Sequence, residues 1–237
     1  MFRNLFFILV SFLPLTATAG PKTLELSHRY HYYMAAPNTI DQMLIYREWV
    51  TPWLEAQLGG RYEASAFSLR TADYKAQIRA ELGGIFFAAI RFNHTTYFPE
   101  EIRSSVLLAS VGIEWTPFPY LIFRGLLGWN ERFSLFSGFA LLPTFSPDSV
   151  REHDFSGEIS LGSHLNDQWT IFLKMSSVEE MTVFNHNNPY FQGTVTYQPP
   201  GEKYELAAFF RYRVLLGFGR MDEAMAGFAV KSSFDWN

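Results

Sequence analysis

Residues Lys75 to Phe92, KAQIRAELGGIFFAAIRF, alternate along their whole length. One register, Ala76, Ile78, Ala80, Leu82, Gly84, Phe86, Ala88, Ile90 and Phe92, has no charged or polar side chain. The other carries Lys75, Gln77, Arg79, Glu81 and Arg91. Successive side chains of a strand point to opposite faces, so the two registers form an apolar face and a charged one. Read as a single strand at roughly 3.3 Å per residue, the apolar face exceeds the span of about ten residues that a tilted strand needs to cross a bilayer. Apolar outside and charged inside is the pattern of a transmembrane β-barrel.

The rest of the chain narrows the class. Met1 to Ala19 has an early basic residue, Arg3, an apolar run from Leu5 to Leu15, and a small-x-small site at Ala17-Thr18-Ala19. This predicts a cleaved secretory signal peptide over 1–19 and one barrel domain over 20–237. The chain has no cysteine, which removes disulfide scaffolds, zinc–thiolate sites, cysteine nucleophiles and lipoprotein processing. With 19 Lys and Arg against 23 Asp and Glu the net charge is −4, and loss of Arg3 with the leader makes it one unit more negative. A nucleic-acid binder would need a basic face, so none is expected. Aromatic residues make up 18% of the chain, as expected of girdles where lipid meets water. Beyond the leader no apolar run approaches the roughly 18 residues of a spanning helix. No 20–50-residue repeat or linker divides the chain.

The alternation recurs at Leu24–Tyr32, Trp53–Leu69, Val106–Trp115, Tyr120–Asn130, Phe155–Leu165, Trp169–Ser177, Phe191–Tyr197, Tyr204–Val214 and Ala224–Trp236. Leu135–Leu142 is apolar on both faces and leaves its register open. Pro143–His153 and Glu179–Pro189 read as polar loops, and turns are expected at Pro117-Phe118-Pro119, Asn166-Asp167 and Pro199-Pro200-Gly201. Gly59-Gly60 is either a hairpin turn or a glycine bend within one long strand. The turn pairs Trp53–Leu69 with Met43–Leu58 and gives twelve strands; the bend gives eleven. Bacterial single-chain barrels have even strand numbers, so an antiparallel up-and-down barrel of twelve strands is preferred, with ten as the alternative. Thr39–Leu58 also places apolar residues at helical spacing, with Pro52 against a straight helix.

On this pattern, a signal-like leader, strand alternation throughout and a last strand ending Phe234-Asp235-Trp236-Asn237, the chain resembles small bacterial outer-membrane β-barrel proteins. Barrels of that kind commonly end on an aromatic residue, which here is penultimate. In size and style the chain is similar to narrow twelve-stranded porins for acidic oligosaccharides, which line their pores with arginine. The resemblance implies an outer-membrane location, lipid around the barrel and a passive role, as a channel for small solutes or a structural barrel.

The residues expected in the lumen include Arg29, Arg79, Glu81, Arg91, Arg124, Lys174, Arg211 and Arg213. They could form an arginine ladder for small anionic solutes, since the guanidinium fork suits carboxylates and phosphates. Equally, with Glu25, Glu55, Glu63, Glu114, Glu158, Glu205 and Asp235, they could form a self-neutralising network that fills the barrel. The alternative from another class is a lipid-modifying acyl hydrolase, which resemblance would build on a His/Ser pair facing lipid. Ser27-His28 and Ser163-His164 are the adjacent pairs, but neighbours on a strand point to opposite faces. Asn93-His94 and Asn185–Asn188 read as loop residues. No cofactor or metal site is expected. Tyr30, Tyr32, Trp115, Trp129, Trp169, Phe234 and Trp236 are expected in the girdles.

Overall fold

Period-two alternation runs through twelve strands. The computed structural model describes residues 21–33, 37–65, 68–98, 102–135, 150–178, 189–214 and 223–236. The strands are β1 Lys22–Tyr33, β2 Thr39–Thr51, β3 Leu54–Ser65, β4 Ser68–Gly83, β5 Phe86–Tyr97, β6 Ile102–Phe118, β7 Leu121–Leu135, β8 Val150–His164, β9 Trp169–Ser176, β10 Tyr190–Tyr197, β11 Tyr204–Arg213 and β12 Glu223–Trp236. Each pairs antiparallel with the next, and β12 pairs with β1 from Met225 opposite Tyr33 to Trp236 opposite Lys22. The closed ladder leaves no sheet edge, which is what a backbone in hydrocarbon requires. The leader over 1–19, residues 136–142, 143–149 and the loop over 179–188 lie outside the described residues.

The strand count is twelve, but the turn that makes it so is not at Gly59-Gly60. Those glycines sit inside β3, opposite Ile45 and Leu44. The extra hairpin comes from Lys75–Phe92, which is two strands. Gly83 and Gly84 take φ of 99° and 63° between β4 and β5, the left-handed conformation that a tight hairpin demands and glycine supplies without strain. The turn carries a one-residue register shift between Glu81 and Gly83, so even-numbered residues face outward on both sides of it. Thr39–Leu58 is strand, turn and strand, with Pro52 in the turn. Val150–His153 belongs to β8, and Asn93 and His94 to β5, where loops were expected. β6 runs through Pro117 to Phe118, with a register shift between Trp115 and Phe118.

The five short turns, β2–β3, β4–β5, β6–β7, β8–β9 and β10–β11, share one end of the barrel with Lys22 and Trp236. Exposed Ile40, Ile78, Ile90, Val111, Leu127, Leu173, Phe210 and Phe228 form the outer band. Aromatics flank it on both sides: Trp53, Trp115, Tyr120 and Trp169 at the short-turn end, and Tyr30, Tyr32 and Tyr212 at the other. Inside, Phe87, Phe172 and Phe209 each lie on a glycine directly across the ladder, Gly112, Gly162 and Gly227. The missing side chains let the rings lie flat on the wall, which keeps large residues within a narrow bore.

Candidate functional site in the barrel interior

The inward register of β1 to β5, with Glu114 of β6 and Lys231 of β12, carries three groups of ion pairs. Arg61 on β3 stands opposite Asp73 on β4 and donates to its carboxylate at 2.8 Å, with Asp41 and Glu63 each at 3.6 Å. Asp73 also accepts from Thr95 at 2.6 Å, and His31 lies 2.8 Å from Asp41. Asp41 and Asp73 are buried, so their charge depends on these partners. Toward the short-turn end, Glu25 binds Arg47 at 3.0 Å and Lys231 at 3.3 Å. Arg79 binds Glu81 at 2.8 Å and Glu114 at 3.2 Å.

The wall from β7 to β11 is built differently. The ladder aligns Arg124, Ser160, Lys174, Gln192 and Arg211 in one row across five strands, with cations on alternate strands. Lys174 pairs with Glu158 at 2.7 Å, and Arg213 with Glu223 at 3.0 Å. Arg211 donates to the neutral Gln192 at 2.8 Å. Arg124 lies 5.5 Å from the Phe87 ring centre, and its Nε is buried with no hydrogen-bond partner among the described residues. Three cations surround the buried ring of Tyr190: Arg211 at 4.4 Å, Arg213 at 5.6 Å and Lys174 at 5.8 Å. Aromatic faces attract such groups. The same cations can hold an anion that comes within reach of the row.

All eight candidates, Arg29, Arg79, Glu81, Arg91, Arg124, Lys174, Arg211 and Arg213, fall on the inward register. Arg91 donates to Gln77 at 2.8 Å and Arg29 approaches the sulfur of Met43 at 3.8 Å. They do not meet at one point but divide between the two walls. Sequence reading passed over Asp41, Asp73, Tyr190 and Val178. Asp73 continues the Lys75 register by one step and could have been found there. Asp41 was hidden by the helical spacing of Thr39–Leu58.

The adjacent His/Ser pairs do not assemble. His28 is exposed while Ser27 is buried, and His164 bonds to Thr170 at 2.9 Å. A different pair does: His94 Nδ1 on β5 lies 2.8 Å from Ser105 Oγ on β6, on the outward face, with Thr96 Oγ1 at 3.5 Å from Nε2 and Tyr74 stacked at 6.3 Å. The partners are eleven residues apart in sequence and meet only through the ladder. Among the described residues no three His, Cys, Asp or Glu side chains are grouped to hold a metal ion.

No family model matches the chain, and no curated protein matches it in sequence. In fold it is similar to the NanC porin, with a TM-score of 0.55 and 11% identity over 87% of this chain and 98% of that one. It is similar also to an outer-membrane channel from Pseudomonas putida F1, with a TM-score of 0.53 and 11% identity over 93% and 97%. The KdgM porin, solved in complex with disordered oligogalacturonate, gives a TM-score of 0.52 and 7% identity over 89% and 99%. The chain therefore has the closed, twelve-stranded fold found in outer-membrane porins and channels.

Proposed function

We propose that this protein is exported by cleavage of residues 1–19, and that residues 20–237 sit in a bacterial outer membrane as a narrow channel for small solutes, anionic ones preferred. The observation that carries the reading is the row Arg124–Lys174–Arg211 on one wall, with Lys174, Arg211 and Arg213 gathered beside Tyr190. Neutral Ser160 and Gln192 stand between the cations of the row, while Glu158 pairs with Lys174 and Glu223 with Arg213. Fixed positive charge on the wall of a narrow, low-dielectric bore raises the local concentration of anions. The fold it shares with KdgM, which was solved with an acidic oligosaccharide, agrees with that preference. Lipid contacts the outer band. The test is planar-bilayer recording of the purified barrel. Current with anion selectivity, weakened by Lys174→Ala and Arg211→Ala, supports the reading; a folded but silent barrel overturns it and leaves a structural role.

A second reading rests on His94 and Ser105. A histidine within hydrogen-bond reach of a serine on the lipid-facing surface is the start of a nucleophile pair for acyl hydrolysis. Among the described residues no carboxylate or amide is bonded to the imidazole, which has Thr96 Oγ1 at 3.5 Å. Turnover of phospholipid in mixed micelles, abolished by His94→Ala, is the outcome that would replace the channel with this reading.

A further inference from the structure

We infer that β1 and β2 form the twofold interface of a homodimer within the membrane, in which His28 of each copy bonds Gln42 of the partner subunit. This rests on the membrane placement in the channel reading and is independent of conduction.

His28 on β1 and Gln42 on β2 stand opposite one another in the ladder, and both are exposed on the outward face. Neither makes a side-chain hydrogen bond among the described residues. Other polar groups of that face are partnered: His94 has Ser105 at 2.8 Å, and Tyr46 donates to Glu48 at 2.9 Å. Leu26 and Tyr30 flank His28 along β1, Ile40 and Leu44 flank Gln42 along β2, and Val230 faces His28 from β12. His28 lies six residues above Lys22, which marks the short-turn end. At roughly 3.3 Å per residue and a strand tilt of about 40°, that is about 15 Å up a band about 25 Å tall. Lipid headgroups do not reach this depth, and hydrocarbon offers an imidazole or an amide neither donor nor acceptor. Polar groups so placed in a membrane find their partners on protein.

The pair is self-complementary. A neutral imidazole and a primary amide each carry a donor and an acceptor. A twofold axis along the membrane normal, passing between β1 and β2, reverses the strand order across the interface. It therefore sets β1 of one copy against β2 of the other. His28 then faces Gln42 of the partner subunit, at the common level the ladder gives them, and the contact is made twice. No charged residue stands among their outward neighbours on β12, β1, β2 and β3 to oppose the approach. Leu26, Tyr30, Ile40 and Val230, exposed on a single copy, close around the two polar contacts.

The test is sedimentation equilibrium of the full-length barrel in density-matched micelles, across protein-to-detergent ratios. The wild type should associate as a dimer. His28→Leu and Gln42→Leu should each weaken that association about tenfold, the scale of an intramembrane polar contact, with the folded barrel retained. His28→Gln should keep the dimer, since an amide pairs with an amide. The chain has no cysteine, so His28→Cys and Gln42→Cys barrels carry one thiol each. Mixed before reconstitution into phospholipid vesicles, they should be joined by a short bismaleimide more often unlike to unlike than like to like. A folded wild type that stays monomeric, forms any other closed oligomer, or dimerises equally well in both leucine variants overturns the interface and leaves the channel standing. A chain that folds as a barrel without detergent or lipid overturns the membrane placement and this inference together.

Discussion

The ring of Phe209 lies on Gly227, its direct partner in the β11–β12 ladder, and leaves no room there for a β-carbon. The same glycine faces the carbonyl oxygen of Tyr30 on β1, so it is enclosed from both neighbouring strands. A flexible ring could swing away from an added methyl, but a carbonyl in the ladder cannot. Gly227→Ala should therefore destabilise the barrel by about 1–3 kcal/mol, the scale of overpacking a filled site. Gly125→Ala is the control: its nearest neighbour stands 3.5 Å from the added carbon, and the change should stay within about 0.5 kcal/mol. Urea midpoints of the folded barrel measure both.

Asp73 links β3, β4 and β5 inside the barrel, accepting from Arg61 and Thr95. Asp73→Ala leaves Arg61 with one carboxylate fewer in a buried setting and should cost about 3–5 kcal/mol. Asp73→Asn keeps a hydrogen-bonding oxygen and should cost clearly less. Equal losses in the same urea titration would show that charge, and not hydrogen bonding, dominates there.

Arg211 donates to Gln192, and no carboxylate faces it from the neighbouring β10 position. Arg211→Gln should lower the anion-to-cation permeability ratio several-fold with little change in stability. Arg79→Gln, at a residue held by Glu81 and Glu114, should shift selectivity less and stability more. Reversal potentials in a potassium chloride gradient, beside the urea midpoints, separate the two.

The Tyr190 hydroxyl is the anchor of Val178 from the β10 side. Tyr190→Phe removes one buried hydrogen bond and should cost about 0.5–1.5 kcal/mol in the urea midpoint, with the ring and its surrounding cations retained.

His94 and Ser105 provide the discriminating enzymatic experiment. The channel reading expects no phospholipid turnover by the wild type in mixed micelles, and unchanged conductance in His94→Ala and Ser105→Ala. Turnover lost in both variants would assign the pair a catalytic role.

Strand alternation made the fold legible, because a period of two is a local property of the chain and requires no knowledge of partners. It could not show that Lys75–Phe92 bends back on itself. The register shift at Glu81/Gly83 keeps the same parity on both sides of the turn, so one strand and a hairpin share one pattern. Gly59-Gly60 and Gly83-Gly84 look alike in sequence, yet the first pair lies within a strand and the second makes a turn.

What the sequence determined by itself is which register of each strand is apolar and which is polar. What only the tertiary structure decided is who meets whom: Arg61 with Asp73, His94 with Ser105, Phe209 with Gly227, and Val178 with Phe87, Leu108 and Leu126. Those contacts depend on the pairing register of separate strands and on closure of β12 against β1. Closure brings together side chains far apart in the chain, and alternation along any single strand carries no record of it.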